Sequence, residues 1–174
     1  MNEIAQFAPG LDRISEGSLY PHQADGVAYL LSKKRVILAD DMGLGKTRQA
    51  IVAMEAGAPD GKVLVVCPAS LKLNWKREIQ MVDAFAEVEV LGVDREANRD
   101  PRWVIVNYDI LRKHADRLHA VEWSGVILDE AHFIKNASQR TNHCLKLLGV
   151  QADAHAPVIG PEFVFLLTGT PMTN

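Results

Sequence analysis

Cysteine is scarce. Cys67 and Cys144 are the only two, and they stand at no metal-ligand spacing. A disulfide scaffold is excluded, and a reducing compartment is the default expectation. No apolar run approaches the roughly 18 residues that would suggest a membrane span. The opening stretch, MNEIAQFAPGLDRISEGSLY, lacks the basic start and apolar core of a secretory signal. The expected location is therefore cytoplasmic, or nucleoid-associated if the source is bacterial, with no membrane partner. Positive charge is not in excess either: the net charge is -3. Any nucleic-acid surface must then be a local patch. Apart from His132 the histidines are scattered, with no H-x-x-x-H and no Cys/His cluster. That argues against a metal site built from protein ligands alone. Internal repeats and low-complexity tracts are absent.

What is present is one domain's worth of chain: 174 residues, 48% of them hydrophobic. Residues 1–18 read as a polar lead-in and 19–174 as the domain. Pro21 suits the first turn of a helix, and Val27, Leu30 and Leu31 give that helix an apolar stripe. Short apolar runs then alternate with amphipathic stretches. Strands are predicted at Arg35–Asp40, Lys62–Cys67, Val88–Leu91, Trp103–Asn107, Gly125–Asp129 and Phe163–Thr168. Helices are predicted at Lys46–Ala56, with Gly57 as its stop, at Ser70–Val82, opened by an N-cap, from Asn107 to about Leu118, and at Ser138–Leu148. The strands are continuous apolar runs, as in a parallel sheet covered on both faces. The expected fold is α/β and doubly wound, and ligands of such sheets bind at the carboxyl ends of the strands.

Each motif falls at such an end. After the first strand comes Ala39-Asp40-Asp41-Met42-Gly43-Leu44-Gly45-Lys46-Thr47-Arg48. Only the GKT end fits the phosphate-loop pattern G-x-x-x-x-G-K-[ST], because Asp40 stands at the first glycine position. Gly43 and Gly45 can turn backbone N–H groups toward a phosphate. Lys46 would reach the β and γ phosphates, Thr47 would place its hydroxyl on Mg²⁺, and the helix N-terminus adds a positive dipole end. Met42, Leu44 and Arg48 complete the candidate cradle for ATP. Asp129-Glu130-Ala131-His132 follows the GVIL strand. Asp129 could hold Mg²⁺ through water, and Glu130 could position or deprotonate the attacking water. Thr168-Gly169-Thr170-Pro171 follows the last strand, where its hydroxyls could sense the γ-phosphate. Gln23, in Leu19-Tyr20-Pro21-His22-Gln23, carries an amide suited to an adenine edge. Taken alone, the last two are a turn and a solvated helix residue.

Residues 19–47, 63–79 (VLVVCPASLKLNWKREI), 126–136 (VILDEAHFIKN) and 167–171 (LTGTP) together resemble the Swi/Snf-type helicase-like ATPases of superfamily two. The DDMGLGKT wording is similar to the annealing-helicase branch and its bacterial relatives. The resemblance implies a RecA-like first lobe of a DNA-dependent ATPase that moves along or remodels double-stranded DNA. Lys46 and Thr47 would serve its first motif, and Asp129 and Glu130 its second. His132 would couple that second motif to Thr168 and Thr170, and Gln23 would read adenine. Pro68, Ser70 and Leu71 match a motif that touches one DNA strand, with neighbouring Lys72 a further DNA-contact candidate, and Asn107-Tyr108 falls where a second strand-tracking motif stands.

The family's second lobe, with its arginine finger, has no counterpart before Asn174, so the lobe alone is expected to turn over little ATP. Two basic sets, Lys72/Lys76/Arg77 and Arg112/Lys113/Arg117, could meet phosphates or simply be solvated helix faces. Trp75 reads as packing rather than a base platform. A nucleotide-binding module without turnover, and a strand-separating DEAH-type DNA or RNA helicase, are the alternatives.

Overall fold

The computed structural model describes residues 19–39, 45–94, 100–134, 139–149 and 160–169. The lead-in 1–18 lies outside these. Six strands form one sheet: β1 (Arg35–Ala39), β2 (Val63–Cys67), β3 (Val88–Val90), β4 (Trp103–Asn107), β5 (Gly125–Leu128) and β6 (Phe163–Thr168). Their order is β1-β6-β5-β2-β4-β3, and every pairing is parallel. The doubly wound α/β reading holds.

The helices are α1 (Pro21–Lys33), α2 (Lys46–Gly57), α3 (Lys72–Val82), α4 (Ala115–His119) and α5 (Gln139–Leu147). Alternate strand residues feed two cores, as a period of two requires. Val63, Val65, Ile105, Ile127 and Phe165 join Val27, Leu30, Ile51, Met54, Trp75 and Ile79, from α1, α2 and α3, on one face. Leu64, Val66, Val104, Val106, Val126 and Leu128 join Leu118, Cys144 and Leu147, from α4 and α5, on the other. Cys67 and Cys144 are free and buried, in opposite cores.

Several expectations need correction. The RVILA run is not a fully buried strand: β1 lies at the sheet edge and leaves Ile37 47% exposed. Ser70 does not cap a helix. It sits in a 3-10 turn, Ala69–Leu71, closed by the Leu71 N–H on the Pro68 carbonyl at 3.0 Å, and α3 begins only at Lys72. The helix expected after Asn107 is broken into 3-10 turns at Tyr108–Ile110 and Arg112–His114 before the short α4. Gly57 is the last helical residue rather than a left-handed stop. A Cβ there would come within 2.7 Å of Phe163 and 2.9 Å of Leu31, so glycine is demanded by close packing.

At the amino end of the sheet a carboxylate is buried. Glu55 of α2 is fully inaccessible. Its Oε1 accepts from Arg102 Nη1 and, at 3.0 Å, from Trp103 Nε1. Arg102 Nη2 also donates to the Ala58 carbonyl at 2.9 Å. A buried charge persists only when paired in this way.

Candidate nucleotide site

The strand order brings the motifs together. β6 lies between β1 and β5, so the end of β1 at Ala39, the end of β6 at Thr168, and Asp129 beyond β5 occupy neighbouring tracks about 5 Å apart. Register confirms it: Ala39 pairs with Thr168, and Leu128 with Leu166.

Gly45 stands at the N-cap of α2 with φ 76°, in the left-handed region that glycine enters without steric cost. Its Cα is covered by Gln23: a Cβ there would meet the Gln23 Nε2 at 2.1 Å. Gln23 is therefore buried against the phosphate-loop glycine rather than solvated, and its Oε1 accepts the Tyr20 N–H at 3.0 Å. Lys46, Thr47 and Arg48 follow in the first turn of α2, half-buried. The Arg48 guanidinium reaches Glu78 of α3 at 3.5 Å. Met42, Gly43, Leu44 and Thr170 lie outside the described residues.

Asp129 is buried, and its backbone N–H continues the sheet to the Val66 carbonyl at 2.8 Å. Its Oδ2 accepts the Trp75 indole N–H at 2.8 Å and its Oδ1 the Glu130 backbone N–H at 2.9 Å. Burial pushes its carboxyl above the usual 3.8; the Trp75 hydrogen bond, the Glu130 N–H and the Lys46 charge draw it down, while the Glu130 charge adds to the rise. The Lys46 ammonium and this carboxylate thus act on one another. A raised value means that Asp129 favours folding below 3.8 and loses that contribution as pH rises through its folded midpoint. Carboxyl-carbon NMR titration of the chain without Mg²⁺ should show a midpoint above 3.8; one at or below 3.8 would contradict the burial described.

Glu130 has φ 53°, an unfavourable left-handed conformation for a side chain of this kind. Its Oε2 lies 3.1 Å from His132 Nδ1, a close approach without the alignment of a hydrogen bond. His132 belongs to the 3-10 turn Ala131–Ile134. Thr168, at the end of β6, is buried. The hydroxyl of Thr47 and the carboxylates of Asp129 and Glu130 are hard oxygen donors, a set suited to Mg²⁺ bound through phosphate and water.

Two interior residues at this end were not read from the sequence as parts of the site. Trp75, 1% exposed, packs in the core as expected but also holds Asp129. Tyr108 donates its hydroxyl to the Asp129 carbonyl at 2.7 Å and stacks on Phe133. The signal for the first was available: a buried indole N–H requires an acceptor. Nearby Cys67 is pushed up to about 12, by burial first and then by the Asp129 charge, which makes it an inert thiol.

The proposed DNA edge divides. Pro68 and Ser70 reach the surface at the end of β2. Lys72 does not: it is buried, and its ammonium donates to the Leu91 carbonyl at 2.9 Å. Asn107 and Tyr108 are likewise interior, at 5% and 3% exposure. Arg117 is held by both oxygens of buried Glu89, at 2.9 and 2.5 Å. Arg112 and Lys113 remain exposed.

Comparison with known proteins agrees with this architecture. Residues 22–174 match the SNF2-related domain. The chain is 34% identical over 165 residues to a SWI/SNF-related matrix-associated actin-dependent regulator of chromatin subfamily A-like protein 1 of Xenopus laevis, covering 89% of the chain and 16% of that protein. It is 30% identical over 181 residues to the mouse DNA repair and recombination protein RAD54B, covering 90% of the chain and 19% of that protein. The chain thus spans less than a fifth of these relatives, and such identities fix the family without separating its branches. Among solved structures, the Sulfolobus solfataricus SWI2/SNF2 ATPase core in complex with dsDNA superposes with a TM-score of 0.75 at 27% identity, covering 91% of this chain and 33% of that one. No helix among the described residues is long and apolar enough to cross a membrane. With its six-stranded parallel sheet and its motifs at the carboxyl ends of β1, β5 and β6, the chain belongs to the SNF2-related domain family, and its fold is that of a RecA-like lobe of a SWI2/SNF2 ATPase core.

Proposed function

We propose that this domain binds Mg²⁺-ATP as the first lobe of a DNA-dependent ATPase that translocates on or remodels double-stranded DNA. The observation that carries the reading is the placement of Lys46 in the first turn of α2 and of Asp129 and Thr168 at the adjoining carboxyl ends of β5 and β6. Lys46 and the loop with Met42, Gly43, Leu44 and Gly45 bind the phosphates, and the Arg48 turn supports them. Gln23, already packed on Gly45, orients the base. Thr47 and Asp129 hold the metal; charge neutralisation on the phosphoryl oxygens is the chemistry that Mg²⁺ supplies when bound. Glu130 orients water and accepts its proton. His132, in contact with Glu130, relays the state of that carboxylate toward Thr168 and Thr170. Pro68 and Ser70 form the strand-contacting edge.

Phosphoryl transfer gains ~10³–10⁵ in rate from an arginine finger. The resemblance assigns that group to a second lobe, so the 174-residue chain binds nucleotide with little turnover. The test is calorimetric titration of ATP with Mg²⁺, beside turnover assays with and without duplex DNA. Lys46→Ala is expected to abolish measurable ATP binding. Wild-type affinity in that variant would sink the assignment, and DNA-stimulated turnover by the chain alone would show the lobe to be self-sufficient.

A further inference from the structure

Trp75 and Trp103 form a natural pair for comparison. Each is fully buried, and each donates its indole N–H to a buried carboxylate: Trp75 to Asp129 Oδ2 at 2.8 Å, Trp103 to Glu55 Oε1 at 3.0 Å. They sit at opposite ends of the sheet, Trp103 opening β4 and Asp129 following β5. Glu55 is also held by Arg102. Among the described residues, the hydrogen-bond donors to the two Asp129 oxygens are the Trp75 indole and the Glu130 N–H.

We propose that Trp75 is a positioning residue for metal binding: its indole, carried on α3, fixes the orientation of the Asp129 carboxylate at which Mg²⁺-nucleotide is held. The inference rests on the nucleotide-binding reading above and adds to it a residue outside the recognised motifs' chemistry.

An ionised carboxylate has about four acceptor sites. The Trp75 and Glu130 donors occupy one on each oxygen, which fixes the plane of the carboxylate and so the orientation of the remaining lone pairs. Without the indole, Oδ2 loses its donor and the carboxylate can swing about its side-chain torsions. The indole itself cannot swing, because Trp75 lies in the core beside Ile79 and Val82 of its own helix. The tie spans 54 residues of sequence, so the orientation of Asp129 depends on how α3 is seated. That helix follows directly on the surface turn carrying Ser70. Outer partners of metal-holding groups act in this way, and their removal costs ~10–100-fold in metal affinity.

The test compares Trp75→Phe with Trp103→Phe. Both keep an aromatic ring and delete one buried N–H donor to a carboxylate. ATP binding is measured by calorimetry in EDTA and across a Mg²⁺ titration. For Trp75→Phe, ATP affinity in EDTA should stay near wild type, while the Mg²⁺ concentration giving half the tightening should rise ~10–100-fold. Trp103→Phe should keep the wild-type Mg²⁺ response. A Trp75→Phe chain whose Mg²⁺ response equals that of wild type overturns the positioning role alone. An unmodified chain that binds no ATP overturns the functional reading, and this one with it. A second readout needs no variant: in the ATP-bound wild-type chain, added Mg²⁺ should move the Trp75 indole ¹⁵N–¹H resonance and leave those of Trp103 and Trp123 in place. An unmoved Trp75 resonance counts against the proposal even if Trp75→Phe fails to fold.

Discussion

Glu130→Gln is expected to reduce ATP hydrolysis by ~10²–10⁴, the usual worth of a positioned general base, in the protein that carries this domain together with its second lobe and duplex DNA. ATP affinity should stay at the wild-type level. Glutamine preserves the volume of the side chain and can still orient a water through its amide oxygen, but it cannot take the proton. The strained backbone at φ 53° should persist, because it is imposed by the chain turning out of β5 and by the Asp129 Oδ1 bond to the Glu130 N–H. The contact with His132 would then be made by a neutral amide in place of a carboxylate. Turnover within about tenfold of wild type would remove Glu130 from the base role and shift attention to a group supplied by another part of the protein.

Arg102→Met should destabilise the fold by about 3–5 kcal/mol, because it leaves a buried carboxylate without its cation. Glu55 is fully buried, Arg102 retains only 17% side-chain exposure, and among the described residues Glu55 Oε2 has no hydrogen-bond donor. Only the Trp103 N–H would remain. Domains are stable by about 5–15 kcal/mol, so the loss consumes a large part of what holds this one together. The double variant Glu55→Gln/Arg102→Met keeps an acceptor for Trp103 and removes the orphaned charge, and it should recover much of the loss. Urea unfolding of the three chains decides the matter. A single-variant loss below about 1 kcal/mol would place the pair with ordinary surface ion pairs.

The sheet was legible because its strands are written in one dimension. VLVVC and WVIV are unbroken apolar runs, and they lie in two fully buried inner strands. RVILA reads the same way yet lies at the edge. Strand order is a tertiary property, and nothing in a run of five residues records which neighbours it will have. The glycine and lysine proposed to bind phosphate stand out as candidates because that chemistry demands them at fixed spacing. Lys72 was misplaced by residue type, although the signal was present: positions 72, 75, 79 and 82 form one buried stripe of α3, and a long stem can bury itself while its ammonium finds a carbonyl. The indole–Asp129 bond could not be read, since it joins two elements 54 residues apart whose meeting depends on how α3 packs on the sheet.

The position of β1 has a consequence for how the molecule is made. Its sole neighbour among the described strands is β6, with Arg35 opposite Val164 and Ala39 opposite Thr168. The strand that leads toward Lys46 is synthesised well before β6 and must wait for it before it can pair. Such distant parallel pairing is slow and leaves an apolar segment exposed in the meantime. The inner strands β2, β4 and β5 can assemble while β1 is still waiting. The candidate site at the ends of β1, β5 and β6 can therefore close only once β6 is made, and a nascent chain interrupted before Phe163 carries β2, β3, β4 and β5 but no seat for β1.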